Sequence, residues 1–276
     1  MSAWLPLSTE GLCCRNFHNE FLLLRRQQPL HAATGRWATL PTLGQRIYDQ
    51  NFAFVDEVIA TEVEICLRLN SRFCEIGFAV AVDILSASLD HMPVADTQRD
   101  WRLPVYFAPL ADGGSTPDPP TDAGSGSASD RNSATAQHTA PKSDWSVVEQ
   151  TSGLPREQVI EQLLQIELQL AMFGFLPGFA YLSGLPQQLH IPRKHTPANT
   201  APANALALGG KYLGIYSLPS PAGWHVIGRL GVQLMQCDTL PPISIRPGDR
   251  VRLERIDWEQ LQAMQRSNLT VADYNS

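Results

Sequence analysis

Between Met172 and Arg229 short apolar runs are interrupted again and again by glycine or proline. The stretch opens M-F-G-F-L-P-G-F-A-Y-L-S-G-L-P (172–186). It continues through H-I-P-R-K (190–194) and A-L-A-L-G-G (205–210), and it closes G-I-Y-S-L-P-S-P-A-G-W-H-V-I-G-R (214–229). Glycine supplies positive φ without steric cost and proline fixes φ near about −65°, so this punctuation predicts short strands and tight turns. Phe173, Phe175, Phe179, Tyr181 and Trp224 stand beside these breakers, together with Arg193, Lys194 and Arg229. A rigid loop that presents an aromatic ring next to a cation is suited to binding a ligand.

The rest of the chain divides around this stretch. Residues 1–110 read as an α+β unit. Trp4–Leu7 and Phe21–Leu24 are strand-like apolar runs, Thr42–Gln50 is a helix behind Pro41, and Val55–Ala60 is a further apolar run. In Val63–Leu69 the apolar residues alternate with Glu64, Arg68 and Asn70, the period of a half-buried strand. Cys74–Leu89 has helical spacing, and Arg102–Phe107 is one more strand. The order β-α-β-β-α-β is that of a ferredoxin-like unit.

Residues 111–143 are Gly, Ser, Pro, Thr and Asp with little apolar content, a composition expected to form a disordered linker. Residues 144–265 read as two short helices, the second opened by Pro155. A strand over Ile166–Met172 follows, and then short strands at Leu206–Leu208, Leu213–Tyr216, His225–Ile227, Val232–Met235, Ile243–Ile245 and Val251–Ile256. Many short strands with few helices point to a β-barrel. Residues 266–276 read as a polar tail.

Charge and composition exclude several classes. A net charge of −6 leaves no electrostatic footprint for nucleic acid or an anionic membrane. The start M-S-A-W-L-P-L-S lacks the basic and apolar regions of a signal peptide, and no apolar run is long enough to cross a bilayer. Five cysteines without a C-x-x-C pair read as reduced thiols of a cytoplasmic protein. The seven histidines show no metal spacing and no Walker G-x-x-x-x-G-K-[ST] occurs.

Each candidate residue also has a structural reading. The aromatics around Pro177–Gly178 more often pack than bind. Adjacent Arg193 and Lys194 are either a solvated face or an anion site in which arginine offers a planar fork and lysine a point charge. Trp224 either stacks on a planar ligand or fills the barrel mouth. Ser220 lacks a G-x-S-x-G context and is no nucleophile. Arg229, after an apolar strand and a glycine, is either a site cation at the strand end or a surface ion pair.

The ordered set G-F-L-P-G-F-x-Y-L-x-G-L, P-R-K, G-G, G-I-Y and S-P-x-G-W-x-x-I-G-R resembles one bacterial family. It comprises the B subunit of ATP-dependent 5-oxoprolinase, allophanate hydrolase subunit 1 and the Kip-type inhibitor of a histidine kinase. The same module forms subdomains C and D of the carboxyltransferase part of urea carboxylase. The resemblance implies a ferredoxin-like domain followed by a cyclophilin-like barrel. It implies a hydrolase subunit that opens a small cyclic amide or ureido acid with ATP. It implies a hetero-oligomer with a partner carrying subdomains A and B, and in the 5-oxoprolinase case a third subunit.

On these residues it implies Arg193, Lys194 and Arg229 as charge-stabilising catalytic groups. Phe175, Pro177, Gly178, Tyr181, Ser220, Gly223 and Trp224 would line the substrate pocket. The chain departs from the pattern at Ala198–Ala205, where a second P-R and P-A-G-S are usual, at Ala222 in place of glycine, and at Leu230 in place of threonine. A regulatory reading, a Kip-type inhibitor without turnover, is the alternative; prolyl isomerase would rest on fold alone. Deleting 111–143 is expected to leave a cooperative thermal transition and an unchanged far-UV CD spectrum; loss of cooperativity would refute the linker reading.

Overall fold

The computed structural model describes residues 4–7, 11–27, 39–91, 98–107, 144–196 and 198–276. The expected linker 111–143 lies outside the described residues.

Local turn chemistry builds the first unit. Strands β2 (Leu12–Phe17) and β3 (Phe21–Arg26) fold back through His18 and Asn19, both at positive φ (54° and 59°), the backbone hand that short hairpin turns use. A short strand β1 (Leu5–Pro6) pairs with the outer edge of β2. Helix α1 (Leu40–Asp49) starts where the Thr39 hydroxyl accepts the N–H of Thr42 at 3.2 Å. Strands β4 (Val55–Ala60) and β5 (Ile65–Leu69) form a second hairpin around Thr61, whose hydroxyl accepts the N–H groups of Val63 and Glu64. Helix α2 (Ser71–His91) is interrupted at Gly77, which leaves helical geometry.

The sheet order is β1-β2-β3-β5-β4, antiparallel throughout. One face of β3 and β5 (Leu22, Leu24, Ile65, Leu67) is buried against Leu43 and Ile47 of α1 and Leu85 and Leu89 of α2. The split β-α-β core of a ferredoxin-like unit is therefore present, with β5 between β3 and β4. The strand expected to complete it is not. Arg102–Phe107 is found as β6 (Asp100–Tyr106), and β6 pairs in the barrel. The edge beside β3 is already occupied by β2, its hairpin neighbour; a short turn closes at far lower entropic cost than a strand returning from beyond α2.

The second unit begins with α3 (Asp144–Ser152) and α4 (Arg156–Gln165). It continues with β7 (Leu168–Phe173), β8 (Ala180–Ser183), β9 (Ala198–Ala201), β10 (Ala205–Gly209), β11 (Tyr212–Ile215), β12 (Ser220–Ala222), β13 (His225–Leu230) and β14 (Arg250–Arg255). Seven strands close a barrel in the order β10-β11-β8-β7-β14-β6-β13, with β13 returning to β10. Leu206 and Leu208 of β10, Leu213 and Ile215 of β11, and a like pair from every other barrel strand meet in one buried cluster. A closed barrel can gather side chains from all its strands only on the inside, so the interior is packed. The helices α3 and α4 add Trp145, Val148, Val159 and Leu163 to the same cluster. Strands β9 and β12 form a separate two-stranded flap.

Two further expectations are corrected. Val232–Met235 and Ile243–Ile245 are not strands; Val232, Leu234 and Ile245 are buried, but from irregular backbone. The polar end of the chain forms α5 (Trp258–Ser267) and α6 (Val271–Tyr274), places Val271 in the barrel cluster and exchanges hydrogen bonds between Asn275 and the backbone of Arg102. Capping boxes at Asp257 and Thr270 start both helices. No described helix is long and apolar enough to cross a membrane.

The R-P-G-D-R turn (246–250) joins the two units. Asp249, 4% exposed, accepts from the Arg99 guanidinium at 2.6 Å, the Trp101 indole N–H at 2.8 Å and the Arg246 N–H at 2.9 Å. Beside it, Gly248 lies so close to Thr42 of α1 that an added Cβ would meet its hydroxyl oxygen at 2.6 Å. Asp249→Ala removes the shared acceptor, but the Arg99 side chain is partly exposed and keeps the Ser244 carbonyl, so the loss is about 1.5–3 kcal/mol. Differential scanning calorimetry of this variant is expected to show a Tm lowered by roughly 3 to 12 °C.

Candidate functional site

The outer face of β8, β10 and β11 differs in kind from the packed interior. There β10 offers only Ala205, Ala207 and Gly209, and β11 offers Tyr212 and Gly214. The missing side chains make room for Trp224. A Cβ on Gly209 would fall within the space of the indole, and one on Gly214 would lie 2.7 Å from it and 2.8 Å from Phe179. The indole is therefore laid on bare backbone, 6% exposed. Phe179 stands edge-on to it at 5.6 Å, and Tyr181 meets both Phe179 (4.8 Å) and Trp224 (5.6 Å). Tyr216 meets Phe179 edge-on at 4.9 Å and Tyr212 meets Tyr181 at 5.6 Å. Edge-to-face pairs of this kind add about 0.5–1.5 kcal/mol each beyond burial.

The flap completes the cluster. Ala201 of β9 and Ala222 of β12 are buried in it. Ala222, which replaces a glycine of the resembled pattern, sits in extended β12 with its methyl in the cluster, so this position needs no positive φ.

Phe175 crowns the β7–β8 loop at positive φ (66°) and is 65% exposed, with its ring edge-on to Phe179 at 5.5 Å. A bulky residue in this conformation is uncommon, and such strain gathers at ligand-binding positions. The loop is braced by the Ser217 hydroxyl, which donates to the Pro177 carbonyl, and by Gly178 (φ 74°). A side chain at Gly178 would collide with Met235, 2.8 Å from its sulfur.

The cations separate. Arg193 holds its guanidinium carbon 5.4 Å from the centre of the Trp224 ring. It is exposed, and among the described residues no carboxylate lies within ion-pair distance of it. Lys194 points elsewhere: its ammonium is 2.6 Å from Asp144 at the start of α3. Burial works to raise the Asp144 carboxyl, but the neighbouring His225, the hydrogen bond and charge of Lys194 and the Val226 N–H together hold it below its ordinary range. Arg229 lies opposite Ala205 on one side and Tyr106 on the other, four residues beyond His225 and so roughly 13 Å further along β13.

The expected site residues thus gather around Trp224, except Lys194, whose ammonium turns to Asp144, and Arg229 at the far end of its strand. They lie on the outer barrel wall rather than in a barrel mouth, because the interior is filled. Pro177 and Gly178 shape the Phe175 loop, Ser220 is buried in the flap, and Gly223 accepts the Lys194 N–H at 2.8 Å.

Sequence reasoning missed Tyr212, Tyr216 and Asp144 altogether. Their contacts span long sequence separations, and only the preference of Asp144 for a helix start was visible. Burial pushes the Tyr216 phenol up to about 12 and also raises Tyr181, whose shift is tempered by Arg193. These phenols remain protonated at neutral pH, and Tyr216 is buried beneath the surface. The face offers aromatic edges and one guanidinium, a surface for a small anionic, partly apolar molecule.

The family described as carboxyltransferase domain, subdomain C and D, matches residues 13–245. The chain is 41% identical over 109 residues to the B subunit of 5-oxoprolinase from Escherichia coli O157:H7, covering 40% of this chain and 50% of that protein. It is 32% identical over 120 residues to the 5-oxoprolinase B subunit of Bacillus subtilis (strain 168), covering 44% and 50%. These matches span about half the length of the curated relatives. Among solved structures, TTHA0988 superposes with a TM-score of 0.62 at 22% identity, over 86% of this chain and 40% of that one. The urea amidolyase of K. lactis superposes at 0.60 and 13% identity, over 97% and 16%. These two likenesses speak to the fold. With the family match running from β2 to the β13–β14 connection, the chain belongs to the carboxyltransferase subdomain C and D family.

Proposed function

We propose that this chain is one subunit of an ATP-dependent amidohydrolase of the 5-oxoprolinase type, acting on a small cyclic amide or ureido acid with a partner that carries subdomains A and B. The observation that carries the reading is Arg193, held over Trp224 beside Tyr181 with no carboxylate partner among the described residues. Its guanidinium presents paired N–H groups to a substrate carboxylate, and the exposed Phe175 ring covers the apolar part of the ring system. The likeness to proteins named as the B subunit of 5-oxoprolinase supports this choice of substrate class.

The platform supplies binding and leaves the bond-breaking steps to the partner. Asp144 is engaged by Lys194 and the Tyr216 phenol is protonated at neutral pH, so neither is a ready base. A triphosphate does not fit these residues either. It needs several cations or a nest of backbone N–H groups, whereas Lys194 is already paired with Asp144. In this proposal ATP is held by the partner, and Arg229, remote from Trp224, makes no substrate contact.

The test is ATP-dependent phosphate release with 5-oxoproline, by the purified chain alone and with its partner subunit. The chain alone is expected to be inactive and the pair active. Arg193→Ala in the pair is expected to lower kcat/KM by about ten- to a hundredfold, the worth of a charge-assisted bond of roughly 1.5–3 kcal/mol. Its Tm should barely move, and Arg193→Lys should not restore the rate. Turnover by the isolated chain, or full activity of Arg193→Ala, would overturn the reading.

A further inference from the structure

We infer that Asp144 and His225 are positioning residues for Arg193: they clamp the backbone on either side of it, so that its guanidinium is fixed over Trp224. The inference rests on Arg193 being the ligand-binding cation of the reading above. Its structural half is testable without that reading.

The geometry is an interleaved pairing of two short segments. Residues 192–194 run beside residues 223–225. The Lys194 N–H donates to the Gly223 carbonyl at 2.8 Å. At the other end, His225 Nε2 lies 3.1 Å from the Pro192 carbonyl, so the ring nitrogen donates to it. Arg193 and Trp224 are the residues between these two ties, and they meet at 5.4 Å. Asp144 locks the arrangement from a third element. Its carboxylate takes the Lys194 ammonium at 2.6 and 2.9 Å and the Val226 N–H at 2.9 Å, and it stands 3.5 Å from His225 Nδ1.

The anchor is firm because Asp144 opens α3, whose next residues Trp145 and Val148 are buried in the barrel cluster. The Pro192–Lys194 segment has no regular secondary structure of its own. Without the clamp the backbone that carries Arg193 would be free to move away from Trp224. Removing that backbone freedom before binding is what preorganisation contributes to affinity. Neither Asp144 nor His225 needs to touch the ligand, since both act through the backbone and Lys194.

The experiment has two arms. In the first, the full chain alone is studied by NMR, reading the ring-current shift that the Trp224 indole imposes on the Arg193 side-chain protons, assigned with Arg193→Lys. Asp144→Asn and His225→Ala are expected to lose most of this shift. His225→Gln, which retains an N–H within reach of the Pro192 carbonyl, is expected to recover part of it. A shift that persists in both Asp144→Asn and His225→Ala overturns the inference.

In the second arm, kinetics are measured with the partner subunit. Asp144→Asn is expected to raise KM about tenfold with kcat little changed, and Arg193→Ala added to it should cost little more, because the two act as one unit. Independent, multiplying effects would assign Asp144 a purely structural role and overturn the inference. If instead Arg193→Ala alone leaves the kinetics unchanged, it is the functional reading of Arg193 that fails, and the NMR arm still decides whether the clamp positions it.

Discussion

A tryptophan ring laid on two glycines organises the outer wall of the barrel. Gly209 and Gly214 leave the outer wall of the barrel without side chains at the one place where Trp224 lies. A methyl group at either position would occupy the space of the indole. Because the ring is seated on backbone rather than on mobile side chains, its other contacts inherit its position: Phe179 and Tyr181 pack edge-on to it, and Arg193 lies above it. Packed interiors tolerate little displacement, so the platform is rigid by construction. Only its rim, the Phe175 loop, is left exposed and conformationally strained.

The barrel interior explains why such a surface had to form outside. Every strand sends larger aliphatic residues inward, and the resulting cluster packs the interior. The outward positions of β10 and β11 are then free to be small, and the strand alternation that fills the core also clears the platform. The N-terminal unit meets the same wall from the side. Glu62, in the β4–β5 turn, pairs with Lys211, and Lys211 lies over the Tyr212 ring at 5.1 Å. Burial and Glu62 both push the Tyr212 phenol well above its ordinary range. At the opposite side Gly248 rests on Thr42. The two units are thus joined at both the aromatic face and the R-P-G-D-R turn.

Much of this was legible in the chain. The alternation in Val63–Leu69 placed Ile65, Leu67 and Leu69 on the buried face of β5. The Gly-Pro punctuation between Met172 and Arg229 announced short strands, and it grouped Trp224, Arg193, Tyr181 and Phe175 as one neighbourhood. The S-P-A-G-W stretch turned out differently. Ala222 stands where the resembled pattern has glycine, and it lies in an extended strand with its methyl in the aromatic cluster. What was not legible depended on partners distant in sequence. Lys194 reads like a second site cation until Asp144, 50 residues away, is seen to hold it. Likewise β6 reads like the last strand of the first unit until β14 is seen beside it.

The sequence by itself determined the periodicities, the turns and the residue types of the site, because these follow from φ preferences, strand alternation and side-chain chemistry acting over a few residues. Only the tertiary structure decided which sheet β6 joins, that the aromatic cluster lies on the outer wall of the barrel, and which of two adjacent cations lies over Trp224. Those outcomes are set by competition between distant partners for the same edge, cavity or charge. Such a competition is resolved by packing and desolvation in three dimensions, and no local pattern of residues encodes its result.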